Sequence, residues 1–255
     1  MRIAVKVGTS TLTHENGTLN IRRIEALVRV LSDLLNENRQ VVLVSSGAIG
    51  VGVGKLGLEK RPRDVRGKQA CAAVGQCELM RIYDLLFGEY GHTVAQVLLT
   101  KDILEDAQRK QNVVNTFEEL LSLGVIPVVN ENDTVSTDEI EFGDNDTLSA
   151  VVARLVDADA LIMMTDMDGL FDKNPREHKD AKLIPIVEHI TEDTMRLASG
   201  TGSSRGTGGM ATKLAAASIA TQRGIPAAII NGGRPDGLYD LLEGKPVGTL
   251  FPVAK

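Results

Sequence analysis

Two hydrophobic periods alternate along the chain. Short, mostly apolar runs rich in β-branched residues recur at Ile3–Val7, Val41–Val44, Val94–Leu99, Val125–Val129, Ala160–Met164 and Ala227–Ile230. Their length and composition predict buried strands. Between them, apolar residues return every third or fourth position. Ile21, Ile24, Leu27, Val28, Leu31, Leu34 and Leu35 mark one face of a helix that Asn20 can cap. The same spacing predicts helices over about 68–86, 112–122, 145–156 and 210–222, with Gly124 and Gly224 as terminators. A short helix and a strand near Leu250 complete the pattern. Pro127 removes one ladder donor, which predicts an edge or a bulge in its strand.

Buried strands alternating with amphipathic helices predict a mostly parallel sheet covered on both faces. No fixed-period repeat or low-complexity linker divides the chain, and the polar stretches 54–68, 172–182 and 199–209 read as loops. Ligands of such sheets collect at the carboxyl ends of the strands. The polar and glycine-rich segments at those ends are therefore the candidates for chemistry.

Composition narrows the chemistry. The 255 residues suit one large α/β domain or two small ones. A net charge of −6, 3% aromatic residues and no tryptophan argue against a nucleic-acid surface, so any anion must be held by local donors. No apolar stretch approaches the roughly 18–20 residues of a membrane span. Lys6 interrupts the first apolar run, so the start does not read as a signal peptide. Cys71 and Cys77 are too few for a metal quartet and suit small buried residues in a reducing compartment, which points to the cytoplasm. His14, His92, His178 and His189 are scattered, with no nucleophile pattern beside them.

Five constellations stand out, four of them at strand ends. In Lys6-Val7-Gly8-Thr9-Ser10, an ammonium precedes a glycine turn and hydroxyls, a way to hold phosphate; a snorkelling lysine is the bland alternative. Ser45-Ser46-Gly47 lets backbone donors approach an anion, or is a plain strand-to-helix turn. Asn130-Glu131-Asn132-Asp133 ends one strand, while Gly143-Asp144-Asn145-Asp146-Thr147 opens a helix. One of these residues is explained as a helix cap, but three in a row are not, so the surplus predicts a polar pocket. Thr165-Asp166 lies at the end of another strand, and Asp168-Gly169 is an ordinary turn signal. Finally, a glycine-rich loop runs into a helix with Lys213 in its first turn, without Walker A spacing. A separate string, Gly52-Val53-Gly54-Lys55-Leu56-Gly57, fits G-x-G-x-x-G but does not follow a strand directly, and position 77 is a cysteine rather than an acid.

Taken together, the segments Val5–Ser10, Val44–Ile49, Ala73–Gln76, Val129–Asp133, 142–146, Leu161–Gly169, 206–213 and Val247–Phe251 resemble the amino-acid kinase family, in order and over almost the whole chain. The Asn-Glu-Asn-Asp and Gly-Asp-Asn-Asp strings carry most of that likeness. The resemblance implies a three-layer αβα sandwich with a mostly parallel central sheet. It implies one domain over 1–255, with a glutamate-binding lobe over about 1–155 and an ATP-binding lobe over about 156–255. The implied reaction is phosphorylation of the glutamate side-chain carboxylate by ATP, the first step of proline biosynthesis. Position by position, it implies that Ser46, Gly47, Asn130, Asp133 and Asn145 contact glutamate. Lys6 and Lys213 flank the moving phosphoryl group, with Asp146 organising both. Lys6, Thr165, Asp166, Thr207, Gly208, Gly209, Met210, Ala211, Thr212 and Lys213 bind ATP, whose phosphates carry Mg²⁺ without a dedicated protein metal site.

Further implications are a homodimer or homotetramer, proline as feedback inhibitor, and delivery of the unstable product to glutamyl-phosphate reductase. Many relatives add a C-terminal PUA domain, which is not expected in a chain that stops at Lys255. The rival readings are another kinase of the fold (acting on acetylglutamate, aspartate, carbamate or a nucleoside monophosphate), a non-catalytic amino-acid sensor, and a nicotinamide-dependent oxidoreductase. A carboxylate acceptor, ionised above its reference pKa of about 4.3, needs no general base, which suits the scattered histidines.

Overall fold

The computed structural model describes residues 1–100, 103, 105–135, 144–198 and 209–253. Its seven strands are β1 (Arg2–Val7), β2 (Gln40–Ser45), β3 (Val94–Leu99), β4 (Ile126–Glu131), β5 (Ala160–Thr165), β6 (Ala227–Asn231) and β7 (Thr249–Phe251). They form one sheet in the order β3-β4-β2-β1-β5-β6-β7. Every pairing is parallel except β6–β7, so the carboxyl ends of six strands share one rim.

Side chains alternate between the two faces along each strand, and helices cover both. On one face Ala4, Val44 and Met163 pack with Leu148 and Val152 of α6 (Asn145–Leu155), Leu214 and Ala217 of α8 (Met210–Thr221), and Phe117 of α5 (Ala107–Ser122). On the other, Ile3, Val5 and Leu43 pack with Ile24, Leu27 and Leu31 of α2 (Ile21–Asn36) and with Leu79, Tyr83 and Phe87 of α4 (Val65–Glu89). Each Val, Leu, Ile, Met or Phe among them, fully buried, contributes about 1.5–3 kcal/mol. This is the three-layer αβα arrangement. Lys6 follows the alternation of β1 onto the α6/α8 face, where it is only 4% exposed. A lysine there needs counter-charge.

Five helices begin on side-chain caps: Asn20, Asp64, Asp106, Asp144 and, before α7 (Glu192–Ala198), Thr191 accept from the backbone N–H of Arg23, Gly67, Arg109, Thr147 and Thr194. The caps at Asp64 and Asp106 start α4 and α5 earlier than periodicity alone predicts. Three helices begin without a side-chain cap, after glycine: α1 (Thr9–Leu12) after Gly8, α3 (Ala48–Lys55) after Gly47, and α8 after Gly209. Gly47 has φ +101°, in the left-handed region that favours glycine.

The Gly52–Gly57 string lies in and just after α3, not at a strand-to-helix phosphate turn. A Cβ at Gly52 would sit 1.9 Å from the Cys71 carbonyl oxygen, and one at Gly75 would sit 1.8 Å from that of Ala48. Those glycines bring α3 and α4 into backbone contact, which removes the basis for a dinucleotide reading. Pro127 also differs from expectation. Its strand β4 lies inside the sheet, between β3 and β2. Ile126 N–H donates to Thr93 on the β3 side, so the missing donor of Pro127 faces β2, where pairing starts only at Val128.

Candidate active site

Where β1, β2, β4 and β5 end, a cavity of about 190 Å³ opens on the strand rim. The starts of the three helices that follow a glycine all line it: Gly8, Thr9 and Ser10; Gly47, Ala48 and Ile49; Gly209 and Met210. These three starts carry no side-chain cap, which leaves their leading N–H groups facing the cavity for an anion.

Beneath the cavity Asp146 is fully buried, in the first turn of α6. The Lys6 ammonium lies 2.6 Å from its Oδ1, and Lys213, in the first turn of α8, lies 3.1 Å from Oδ2. Thr212 donates its hydroxyl to the same Oδ2 at 2.7 Å. The Lys6 contact is an ion contact rather than a directed hydrogen bond, since Oδ1 accepts none. Burial pushes the Asp146 carboxyl up, but both ammonium groups and Thr212 outweigh it and hold the pKa at about 2. The acid is therefore a fixed negative charge at neutral pH. Burial, and then repulsion from Lys213, push the Lys6 ammonium below its ordinary value, against the pull of Asp146. Lys6, Lys213 and Asp146 thus form one buried cluster with a net positive charge. An anion above it meets positive potential at short range.

The second cluster is an amide relay. Asn145 Nδ2 donates to Asn130 Oδ1 at 2.8 Å, Ser46 Oγ at 3.1 Å and the Ser45 carbonyl at 3.4 Å. Asn130 in turn donates to Gln76 Oε1 at 2.9 Å, tying β4 to α4. The run Asp144-Asn145-Asp146 divides its labour. Asp144 caps α6 by accepting from Thr147 N–H at 2.8 Å, Asn145 crosslinks three elements, and Asp146 turns inward to the lysines. Burial pushes the Asp144 carboxyl up.

Of the residues expected at the site, Lys6, Ser46, Gly47, Asn130, Asp133, Asn145, Thr165, Asp166, Gly209, Met210 and Lys213 line this one cavity. Asp146 and Thr212 lie behind that lining, and Ala211 is not part of it. Thr207 and Gly208 lie outside the described residues. The Thr165 hydroxyl donates to Asp166 at 3.2 Å, and Arg176 pairs with Asp166 at 2.7 Å. Sequence reasoning missed Arg61, Lys68, Glu131, Asp144 and Arg176, all of which face the cavity. Glu131 and Asp144 stood inside strings already singled out. The three cations come from polar stretches whose path periodicity does not encode. No histidine lines the cavity among the described residues.

Comparison with known proteins supplies the remaining information. The model of the amino acid kinase family matches residues 1–231. A protein of Clostridium perfringens named glutamate 5-kinase is 58% identical over 100% of this chain and 96% of its own length. Its namesake from Clostridium tetani is 56% identical, over 99% and 95% respectively. The glutamate 5-kinase of Caldanaerobacter subterraneus subsp. tengcongensis is 53% identical over 98% of this chain and 68% of its own length. Among solved structures, the fold matches the UMP kinase of Bacillus anthracis with TM-score 0.67 at 16% identity, covering 100% of this chain and 96% of that one. It matches isopentenyl phosphate kinase of T. acidophilum with TM-score 0.68 at 18% identity, covering 98% and 100%.

Proposed function

The chain belongs to the amino acid kinase family, and we infer that it transfers the γ-phosphoryl group of ATP to the side-chain carboxylate of L-glutamate. The product is L-glutamyl 5-phosphate, and the reaction opens proline biosynthesis. The observation that carries the reading is the approach of Lys6 and Lys213 to one buried aspartate beneath a cavity that also holds the amide relay.

The acceptor carboxylate is ionised at neutral pH, so no proton has to be removed. One of its oxygens attacks the γ-phosphorus while the bond from that phosphorus to the bridging oxygen of ADP breaks. Positioning and charge stabilisation do most of the catalytic work in such a transfer. We assign Lys6 and Lys213 to the phosphoryl oxygens, on which charge is concentrated as the bond to ADP breaks. Asp146 keeps both lysines in place; without it, two like charges would be buried side by side.

We assign glutamate to Ser46, Gly47, Asn130, Asp133 and Asn145, in the lobe of about 1–155. ATP is assigned to the lobe of about 156–255, at Thr165, Asp166 and the 207–213 segment, together with Lys6 from β1. The uncapped start of α8 supports that placement, because its free N–H groups suit phosphate. The described residues include no group of three or more His, Cys, Asp or Glu able to hold a metal. We propose that Mg²⁺ is carried mainly by phosphate and water oxygens, with Thr165 and Asp166, which line the cavity, as the protein residues beside it. When bound, Mg²⁺ would neutralise phosphate charge.

An acyl phosphate hydrolyses readily, so we also propose transfer to glutamyl-phosphate reductase, with proline as feedback inhibitor and a homodimer or homotetramer as the working form. No described helix is long and apolar enough to cross a membrane. Cys71 and Cys77 are both free thiols, which supports a reducing, cytoplasmic setting.

The test is ADP release with glutamate, acetylglutamate, aspartate, carbamate and UMP as acceptors, with hydroxylamine trapping of the acyl phosphate. Glutamate alone should give both ADP and a γ-hydroxamate. Release with another acceptor and none with glutamate would replace this reading by a sister kinase.

A further inference from the structure

Among the described residues, charge pairing around the cavity leaves two cations uncommitted. Lys6 and Lys213 are tied to Asp146, and Arg176 is paired with Asp166. Arg61 and Lys68 line the same cavity, from the loop before α4 and from its first turn, and neither has an ion-pair partner among the described residues. Lys68 is half-buried and Arg61 is exposed.

Glutamate at neutral pH carries two carboxylates and one ammonium. The side-chain carboxylate must lie against the transferred phosphoryl group, so it belongs with Lys6 and Lys213. Acids of the lining, Asp133 and Glu131 at the end of β4, suit the ammonium. The α-carboxylate still lacks a counter-charge, and among the described residues the remaining cavity cations are these two. We propose that Arg61 and Lys68 bind the α-carboxylate of the acceptor and so select an α-amino dicarboxylate; this rests on the glutamate-kinase reading above. Charge-assisted contacts of this kind are stronger than neutral ones, and a planar guanidinium matches a carboxylate in geometry. Unlike Lys6 and Lys213, this pair makes no contact with Asp146, the acid that holds the phosphoryl-facing lysines. It therefore sets the acceptor affinity without entering the chemical step.

The experiment measures steady-state kinetics of the full-length chain, with thermal melting as a folding control. The neutral variant Arg61→Gln/Lys68→Gln should raise the glutamate KM about 10- to 100-fold, the scale of one or two lost charge-assisted contacts. Its kcat and its KM for ATP should stay within about twofold, because neither residue touches the transferred group. The charge-keeping variant Arg61→Lys/Lys68→Arg should recover most of the glutamate affinity. A purely structural role would move kcat, both KM values and the melting temperature together, and would not be rescued by charge. A neutral variant with glutamate KM within threefold of wild type, or with kcat falling in step, overturns the proposal. Failure of the underlying reading is a separate result, seen as absence of glutamate-dependent ADP release in the wild-type protein.

Discussion

Replacing Asp146 by asparagine removes one charge and almost no volume, so it isolates the electrostatic role of a fully buried side chain. The two ammonium contacts at 2.6 and 3.1 Å are each worth roughly 5–6 kcal/mol at an effective dielectric of about 20, before desolvation. After desolvation, breaking a buried pair by removing one partner costs about 3–5 kcal/mol. An independent figure comes from the carboxyl itself. Its pKa is held at about 2 against an ordinary 3.8, which corresponds to about 2–3 kcal/mol of stability at neutral pH. Taking about 3 kcal/mol, and about 2–4 °C per kcal/mol for a chain of this size, Asp146→Asn should melt roughly 6–12 °C below wild type at pH 7.

The pH dependence has a definite sign. A carboxyl with a depressed folded pKa stabilises above its unfolded pKa, and that contribution is lost as pH falls towards about 2. The gap between wild type and variant should therefore narrow in acid. Lys6 runs the other way: its folded pKa is lowered, so its cost to stability is full below that value and fades as pH rises from it towards the ordinary 10.5. Removing Asp146 lowers it further, so the gap should narrow again in alkali. Calorimetry between pH 3 and 10, with turnover measured at pH 7, reads all three. A variant that melts within about 2 °C of wild type at pH 7, or a gap that widens in acid, would refute the reasoning.

Lys213→Ala should lower kcat at least ~10²-fold with glutamate KM changed less, the scale for one lost transition-state donor; near-normal turnover would contradict its role. Asp133→Ala should chiefly raise glutamate KM, and an unchanged KM removes it from the acceptor pocket. Wild-type kcat/KM should be flat between about pH 6 and 8, because no histidine takes part. It should fall below about pH 5 as the acceptor carboxyl protonates, and again in alkali as Lys6, whose pKa burial lowers, loses its charge. A histidine-like limb near pH 6.5 would point to a general base that this account lacks.

What the sequence disclosed follows from how each element is stabilised. Val41–Val44 reads as a strand because it is buried on both faces, and α2 reads as a helix because one face alone is buried. By contrast, α3 hides its helix, since its packing against α4 relies on the missing side chains of Gly52 and Gly75 rather than on an apolar stripe. At the site, the surplus of Asp and Asn at the start of α6 signalled a polar pocket, because capping uses only Asp144. The burial of Asp146 did not show in the sequence, because it depends on α8 arriving from far along the chain with Thr212 and Lys213. Arg61, Lys68 and Arg176 were equally hidden: they sit in polar segments whose return to the cavity is a matter of tertiary packing.

The most direct measurement is a crystal structure with glutamate and a non-hydrolysable ATP analogue bound. The account predicts the Lys6 and Lys213 ammonium groups within about 3 Å of γ-phosphate oxygens, with the glutamate side-chain carboxylate facing the phosphorus. A γ-phosphate contacted by neither lysine, or a glutamate bound with its side chain turned away, would contradict it.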